Sequence, residues 1–220
     1  MKLQPRKEPR QARSRAMVDT ILDAMSRVLV ERGYAKTNTN LVAESAGISV
    51  GSLYQYFPNK DALIFALRER HATRMLALFE DAVAHIDDAG TLSSDFDQVI
   101  SAVVAAHLLE PELNRILEEE FPAYNLPVST EIRQGFFEAI HRVLEKHRDS
   151  ITTPDLDLAA FVLQRMLKAL IKAVVLTGPG GVSPGSVRSE ILPAVIGYLT
   201  LPRSDHSDHS GHSDQSDSQA

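Results

Sequence analysis

The sequence contains no cysteine, which excludes a disulfide framework, a thiolate metal site and a cysteine nucleophile together. No stretch approaches the roughly 18 consecutive apolar residues that span a bilayer. Its opening, MKLQPRKEPRQARSR, lacks the apolar segment of a secretory leader. A cytoplasmic protein without membrane contact is the expectation. No alternating apolar and polar run of useful length is present, so strands are not expected and the fold class reads as all-α. HExxH, a nucleophile elbow and a phosphate-binding glycine loop are also missing. Glu138 and His141 stand at Glu-x-x-His spacing, and His107 and Glu110 form its reverse, but a di-metal bundle needs two such helices and two further carboxylates. The run Glu118-Glu119-Glu120 reads as a solvated face. No catalytic, cofactor or metal site is assigned, and an enzyme is not expected.

What is present is enough for a real core: 220 residues, 44% of them hydrophobic. The net charge of −6 argues against nucleic acid until its distribution is followed. Residues 1–60 carry ten Lys or Arg against five acids, net +5, while residues 61–220 are net −11. A basic head on an acidic body favours phosphate at one end only. Residues 1–15 hold six of these basic residues and two prolines, and are expected to form a disordered basic arm able to follow phosphates.

From about Arg13 to Arg32, Val18, Ile21, Leu22, Met25, Val28 and Leu29 recur at helical spacing, and Gly33 closes the pattern. The next stretch, TNTNLVAESAGISVGSLYQYFPNK over Thr37 to Lys60, reads as a helix-turn-helix. Val42, Ala43 and Ala46 share one face, Gly47 makes a sharp turn that needs positive φ, and Ile48, Leu53 and Tyr56 resume an apolar face. Asn38 or Thr39 can cap the first of these helices, and Ser49 the second. The second helix, about Val50 to Tyr56, is expected to turn Val50, Ser52, Gln55 and the hydroxyls of Tyr54 and Tyr56 outward, with Gly51 leaving room for a close approach. Such a pair suits a DNA groove and a plain helical hairpin alike, and the residues alone leave both open.

The order Gly33-Tyr34, Thr37, Val42-Ala43, Ala46-Gly47-Ile48-Ser49, Gly51, Leu53-Tyr54, Tyr56-Phe57, Lys60 and Leu63 resembles the N-terminal domain of the TetR family of bacterial transcriptional repressors. The resemblance covers about the first 65 residues. It implies a three-helix head reading operator DNA, with Asn40, Val50, Gly51, Ser52 and Gln55 near base edges and Tyr54, Tyr56 and Lys60 on phosphates. With the capping residues Thr39 and Ser49 these make up the expected DNA-contacting set. Gln55 is the best base reader among them, since a glutamine amide pairs with adenine through two hydrogen bonds. Two positions depart from the family pattern: Val50 stands where Lys or Arg is common, and Thr39 where an apolar residue is common. The operator sequence therefore does not carry over.

Beyond the head, expected at 16–60, the body is expected to run from 61 to 202. It opens with one long helix from Lys60 to about Ile86, followed by helices near 95–109, 111–121, 129–148, 155–177 and 184–200. The last two carry apolar faces broader than one neighbour covers, as in Leu158, Phe161, Met166 and Leu170 of the first and Ile191, Leu192, Val195 and Ile196 of the second. They are expected to form a four-helix bundle in a homodimer, as the resemblance also implies, and the operator should then be roughly palindromic. The resemblance further implies a pocket for a small-molecule effector, with Phe79, Val103, His107, Leu117, Phe121, Tyr124, Phe136, Phe137 and Phe161 as candidate linings. Metal sensing through His107, Glu110, Glu138 and His141 is the competing mode of regulation. A helical dimer that serves only as a scaffold is the competing function. The tail at 203–220, with His206, His209 and His212 among Asp205, Asp208 and Asp214, reads as disordered, either solubilising or weakly metal-binding.

Overall fold

Gly33 breaks the first helix because it takes φ 71° and ψ 170°, a backbone region essentially reserved for glycine. The computed structural model describes residues 12–120, 128–175 and 184–202, and among them all regular structure is helical. Helix α1 spans Ala12–Lys36, with its break at Gly33; α2 is Thr39–Ser45, α3 is Val50–Tyr56 and α4 is Lys60–Ala84. Then come α5 (Leu92–Leu109), α6 (Pro111–Arg115) running into a π-helical turn at Ile116–Glu120, α7 (Thr130–Lys146), a 3-10 turn at Arg148–Ser150, α8 (Leu156–Val175) and α9 (Pro184–Thr200).

Arg13 and Arg15, expected in the arm, belong to the first turn of α1. The segment Ala12-Arg13-Ser14-Arg15-Ala16 holds no helix breaker and joins the apolar stripe that follows. The rest of the arm and the whole tail lie outside the described residues. Helix α4 begins where Asn59 accepts a hydrogen bond from the Ala62 amide at 2.8 Å, and α5 begins in a capping box between Thr91 and Ser94.

Two apolar clusters organise the chain. The first joins Ile21, Met25 and Leu29 of α1, Val42 and Ala43 of α2, Leu53 and Phe57 around α3, and Ala62, Leu63, Ile64 and Leu67 of α4. Leu113, Ile116 and Leu117, from α6 and the π turn, complete it. The head's core therefore extends past residue 60 and borrows one wall from the body. The second cluster fills the body among α4, α5, α7, α8 and α9, with Phe96, Ile100, Leu144 and Leu163 fully enclosed. Asp95, only 2% exposed, is tied inside it by His147 Nε2 at 2.6 Å and Lys146 Nζ at 2.7 Å.

Candidate nucleic-acid interface

The turn between α2 and α3 follows from Gly47, whose φ of 68° reverses the chain. Its amide donates to the Glu44 carbonyl at 3.0 Å, and the Ile48 amide donates to the Ala43 carbonyl at 3.0 Å. This nested pair is the Schellman closure that answers the orphan carbonyls of a helix end. Asn38, not Thr39, caps α2, accepting from the amides of Asn40 and Leu41 at 3.0 and 3.1 Å. Thr39 is the first helical residue, and its Oγ1 lies 3.1 Å from the Tyr54 hydroxyl, which ties α2 to α3. Ser49 caps α3 by accepting from the Ser52 amide at 3.0 Å, and the two hydroxyls meet at 2.8 Å.

Ala43 is 1% exposed between the helices, and Leu53 and Phe57 seat α3 on the head core. That fixes which side of α3 faces outward. Asn40, Ser49, Gly51, Tyr54 and Gln55 are exposed; Thr39, Val50, Ser52, Tyr56 and Lys60 are half-buried. Tyr56 and Val50 pack partly against the head core, so they turn less fully outward than the spacing predicted. A Cβ added at Gly51 would meet only Ser49 Oγ, at 3.8 Å, so that face of α3 is open. Lys60 folds back: its Nζ donates to the Tyr34 carbonyl at 3.1 Å and lies 3.9 Å from the centre of the Tyr34 ring. Burial and the nearby Asp61 carboxylate push the Tyr34 phenol above its ordinary pKa, so the ring stays neutral under the ammonium.

Of the body residues expected to line one pocket, Phe79, Val103, Phe136 and Phe137 come together at the body core, while Leu117 and Phe161 lie apart from them. Phe79 is 4% exposed and meets Phe136 edge to face with 5.5 Å between ring centres. Val103 and Phe137 pack against the body core, the latter stacked on His141 at 6.0 Å. Leu117 belongs to the head core, and Phe161 is half exposed beneath Arg165. Phe121 and Tyr124 lie outside the described residues. His107 donates through its Nδ1–H to the Val103 carbonyl, 2.9 Å away, and burial pushes its imidazole below the ordinary value. It is therefore neutral near pH 7. Aromatic side chains close-pack readily with one another, which is why their type alone did not mark out a cavity.

Two cavities open elsewhere. One, about 360 Å³, is an apolar groove between α4 and α5 walled by Leu78, Ala82, Ala102, Ala106 and Leu109. The other, about 200 Å³, is polar and lies between α1, α4 and α6, with Asp23, Arg27, Arg70, His71, Arg74 and Glu110 on its walls. Sequence reasoning missed this second group. Arg70 and Arg74, one helical turn apart on α4, were its only visible sign. No three His, Asp or Glu side chains among the described residues converge on a metal position. His141 instead faces Asp157 at 3.2 Å, and Glu138 accepts from Gln134. No helix among the described residues is long and apolar enough to cross a membrane.

Comparison with known proteins agrees with this arrangement. The family model for bacterial regulatory proteins of the tetR family matches residues 21–67, and that for the tetracyclin repressor-like C-terminal domain matches residues 91–199. The HTH-type transcriptional repressor KstR2 of Rhodococcus jostii (strain RHA1) is 25% identical over 119 residues, covering 52% of this chain and 58% of its own. The fatty acid metabolism regulator protein of Bacillus subtilis (strain 168) is 25% identical over 127 residues, covering 56% of this chain and 64% of its own. The chain thus spans less than two thirds of the length of either relative. The solved structure of the fatty acid degradation regulator FadR from Bacillus halodurans superposes with a TM-score of 0.66 at 17% identity, covering 87% of this chain and 96% of that one. A TetR-family regulator from Pectobacterium atrosepticum gives 0.67 at 20% identity, over 88% and 99% of the two chains. Two matching family models over head and body, on a fold shared along its length, place this chain in the TetR family of bacterial regulatory proteins.

Proposed function

We propose that this chain is a sequence-specific, DNA-binding transcriptional regulator that acts as a homodimer on a palindromic operator and represses until a small molecule releases it. The observation that carries the reading is the outer face of α3, where Gln55 and Tyr54 stand exposed on a helix held rigidly by Gly47, Ser49 and Phe57. The basic balance of residues 1–60 supplies the attraction to phosphate that such a face needs. In this reading Gln55, Asn40, Val50, Gly51 and Ser52 meet base edges, and Thr39, Ser49, Tyr54, Tyr56 and Lys60 position the backbone. One donor of the Lys60 ammonium holds the Tyr34 carbonyl and the remaining donors serve a phosphate.

Dimerisation through α8 and α9 is supported by Leu158 and Phe161, each 50% exposed on the outer side of α8. Isolated side chains of this size are ordinary on a surface; two on successive turns with half-buried Val162, Met166 and Leu170 beside them make a face. Release by a ligand requires the body to open, because Phe79 and Phe136 already fill the space between α4 and α7. Ligand and DNA then prefer different states, and each weakens the other.

The test is selection from a pool of random duplexes with the full-length protein, followed by titration of the recovered sequence at several salt concentrations. Wild type should select a palindrome. Gln55→Ala should cost about 1–3 kcal/mol and relax preference at one base position, while Lys60→Ala should weaken all sequences alike. Recovery of no consensus, with binding indifferent to salt and to both substitutions, would sink the DNA-reading role and leave a helical scaffold.

A further inference from the structure

We propose that Tyr34 is a positioning residue for DNA binding, its ring and backbone carbonyl holding the Lys60 ammonium in place for a DNA phosphate. The inference rests on the DNA-binding reading above and adds to it a residue outside the expected contact set. Residues 37–59, which carry α2, the turn and α3, contain no Lys or Arg. Lys60 is therefore the first cation in the sequence after Lys36, and it follows α3 directly. A lysine that is loose must be ordered when DNA binds, and that cost is subtracted from the affinity.

The break in α1 builds the holding site. Gly33, at φ 71° and ψ 170°, interrupts the helix one residue before Tyr34. Thr37, 2% exposed, fastens the corner: its hydroxyl donates to the Gly33 carbonyl at 2.8 Å and its amide to the Tyr34 carbonyl at 3.3 Å. The same Tyr34 carbonyl accepts from Lys60 Nζ at 3.1 Å, and the ammonium stands 3.9 Å from the centre of the Tyr34 ring. A carbonyl oxygen has room for two donors, and the face of an aromatic ring is its negative side, so both contacts favour the cation. Tyr34 is half-buried against the head core, which steadies the ring.

Lys60 needs such a hold. It is the first residue of α4, at the positive end of the helix dipole, where a cation is disfavoured. Its long flexible stem carries much rotamer freedom, and fixing it before DNA arrives strengthens binding by up to about tenfold. An ammonium has several N–H donors, so the carbonyl that takes one leaves others for a phosphate. The ring and the carbonyl are separable by substitution. Tyr34→Phe keeps both, while Tyr34→Leu keeps the carbonyl and an apolar side chain but loses the ring.

The test is titration of the full-length protein with the palindromic duplex recovered by selection. Wild type, Tyr34→Phe, Tyr34→Leu, Lys60→Met and the double variant Tyr34→Leu with Lys60→Met are compared, and urea unfolding checks that each folds. Tyr34→Leu should weaken binding by about three- to tenfold and Tyr34→Phe by less than about twofold. In the Lys60→Met background Tyr34→Leu should cost nothing further, since no ammonium is left to hold; a purely structural role would cost the same in both backgrounds. In wild type the NMR signals of the Lys60 ε-methylene should lie upfield in the ring current of Tyr34 and stay there when DNA is bound. Equal losses in the two backgrounds, equal losses for Tyr34→Phe and Tyr34→Leu, no loss for Tyr34→Leu, or an ε-methylene signal that is unshifted or loses its shift on DNA would each overturn the proposal. If Tyr34→Leu does not fold, the wild-type signal and Tyr34→Phe decide. Wild type that binds no duplex defeats the DNA-binding reading itself, and this inference with it.

Discussion

Gly33 and Gly47 differ in what replacing them should cost. At Gly47 an added Cβ meets nothing within 4 Å, so the penalty of Gly47→Ala is conformational alone, about 1–2 kcal/mol for an L-residue held at φ 68°. Gly47→Asn should cost less, since asparagine tolerates the left-handed region. Gly33 sits at ψ 170°, where only glycine is at ease, and Gly33→Ala should cost up to about 3 kcal/mol. Urea unfolding should rank the loss of stability as smallest for Gly47→Asn, larger for Gly47→Ala and largest for Gly33→Ala. Both glycines were legible in the sequence, because each interrupts an apolar period that resumes beyond it. The choice of Asn38 over Thr39 as cap was not, since both residue types cap well and only the backbone decides which stands outside the helix.

Among the elements, α5 and the end of α7 are joined by the Asp95, Lys146 and His147 contacts. Burial alone would raise the Asp95 pKa, but the hydrogen bonds from Lys146 and His147 outweigh it and hold the carboxyl below the usual 3.8. A depressed carboxyl contributes stability that is present above its unfolded value and is lost as pH falls through the lower folded value. Acid unfolding of wild type should therefore steepen below about pH 4. Asp95→Ala should remove that component and lower stability at pH 7 by about 3 kcal/mol, because Lys146 and His147 lose their partner in a buried setting. Circular dichroism against pH reads both effects. The helices themselves were legible from period and punctuation: the long one was expected at Lys60 to about Ile86 and runs Lys60–Ala84, and the last was expected near 184–200 and runs Pro184–Thr200. The buried acid was not legible. Asp95 follows two serines at a helix start, where an aspartate usually faces water, and its partners lie some fifty residues on.

At the scale of the molecule, the exposed pair on α8 gives a prediction separable from folding. Phe161→Glu changes a half-exposed side chain, so the monomer should keep its helical signal and melting point to within about 0.5 kcal/mol of stability. Light scattering should nonetheless find its dimer dissociating at concentrations where wild type is associated, and operator affinity should fall with it. A dimer of unaltered strength would exclude this face as the contact. The two-part plan of a basic head and an acidic body was visible in the charge distribution and in the residues from Gly33 to Leu63. The candidate ligand site was not, because aromatic type indicates burial without saying whether packing closes on itself or around a guest. Phe79 and Phe136 close on each other, while Leu117 serves the head.

That last placement has a practical side. Since Leu113, Ile116 and Leu117 complete the core beneath α1, the helix-turn-helix head is not a detachable cassette. A fragment cut after Leu67 would present the face of α1 that these side chains cover to water. A chimera that grafts this head onto another body needs the stretch from Pro111 to Leu117 as part of the graft, or a receiving body whose own side chains match its shape.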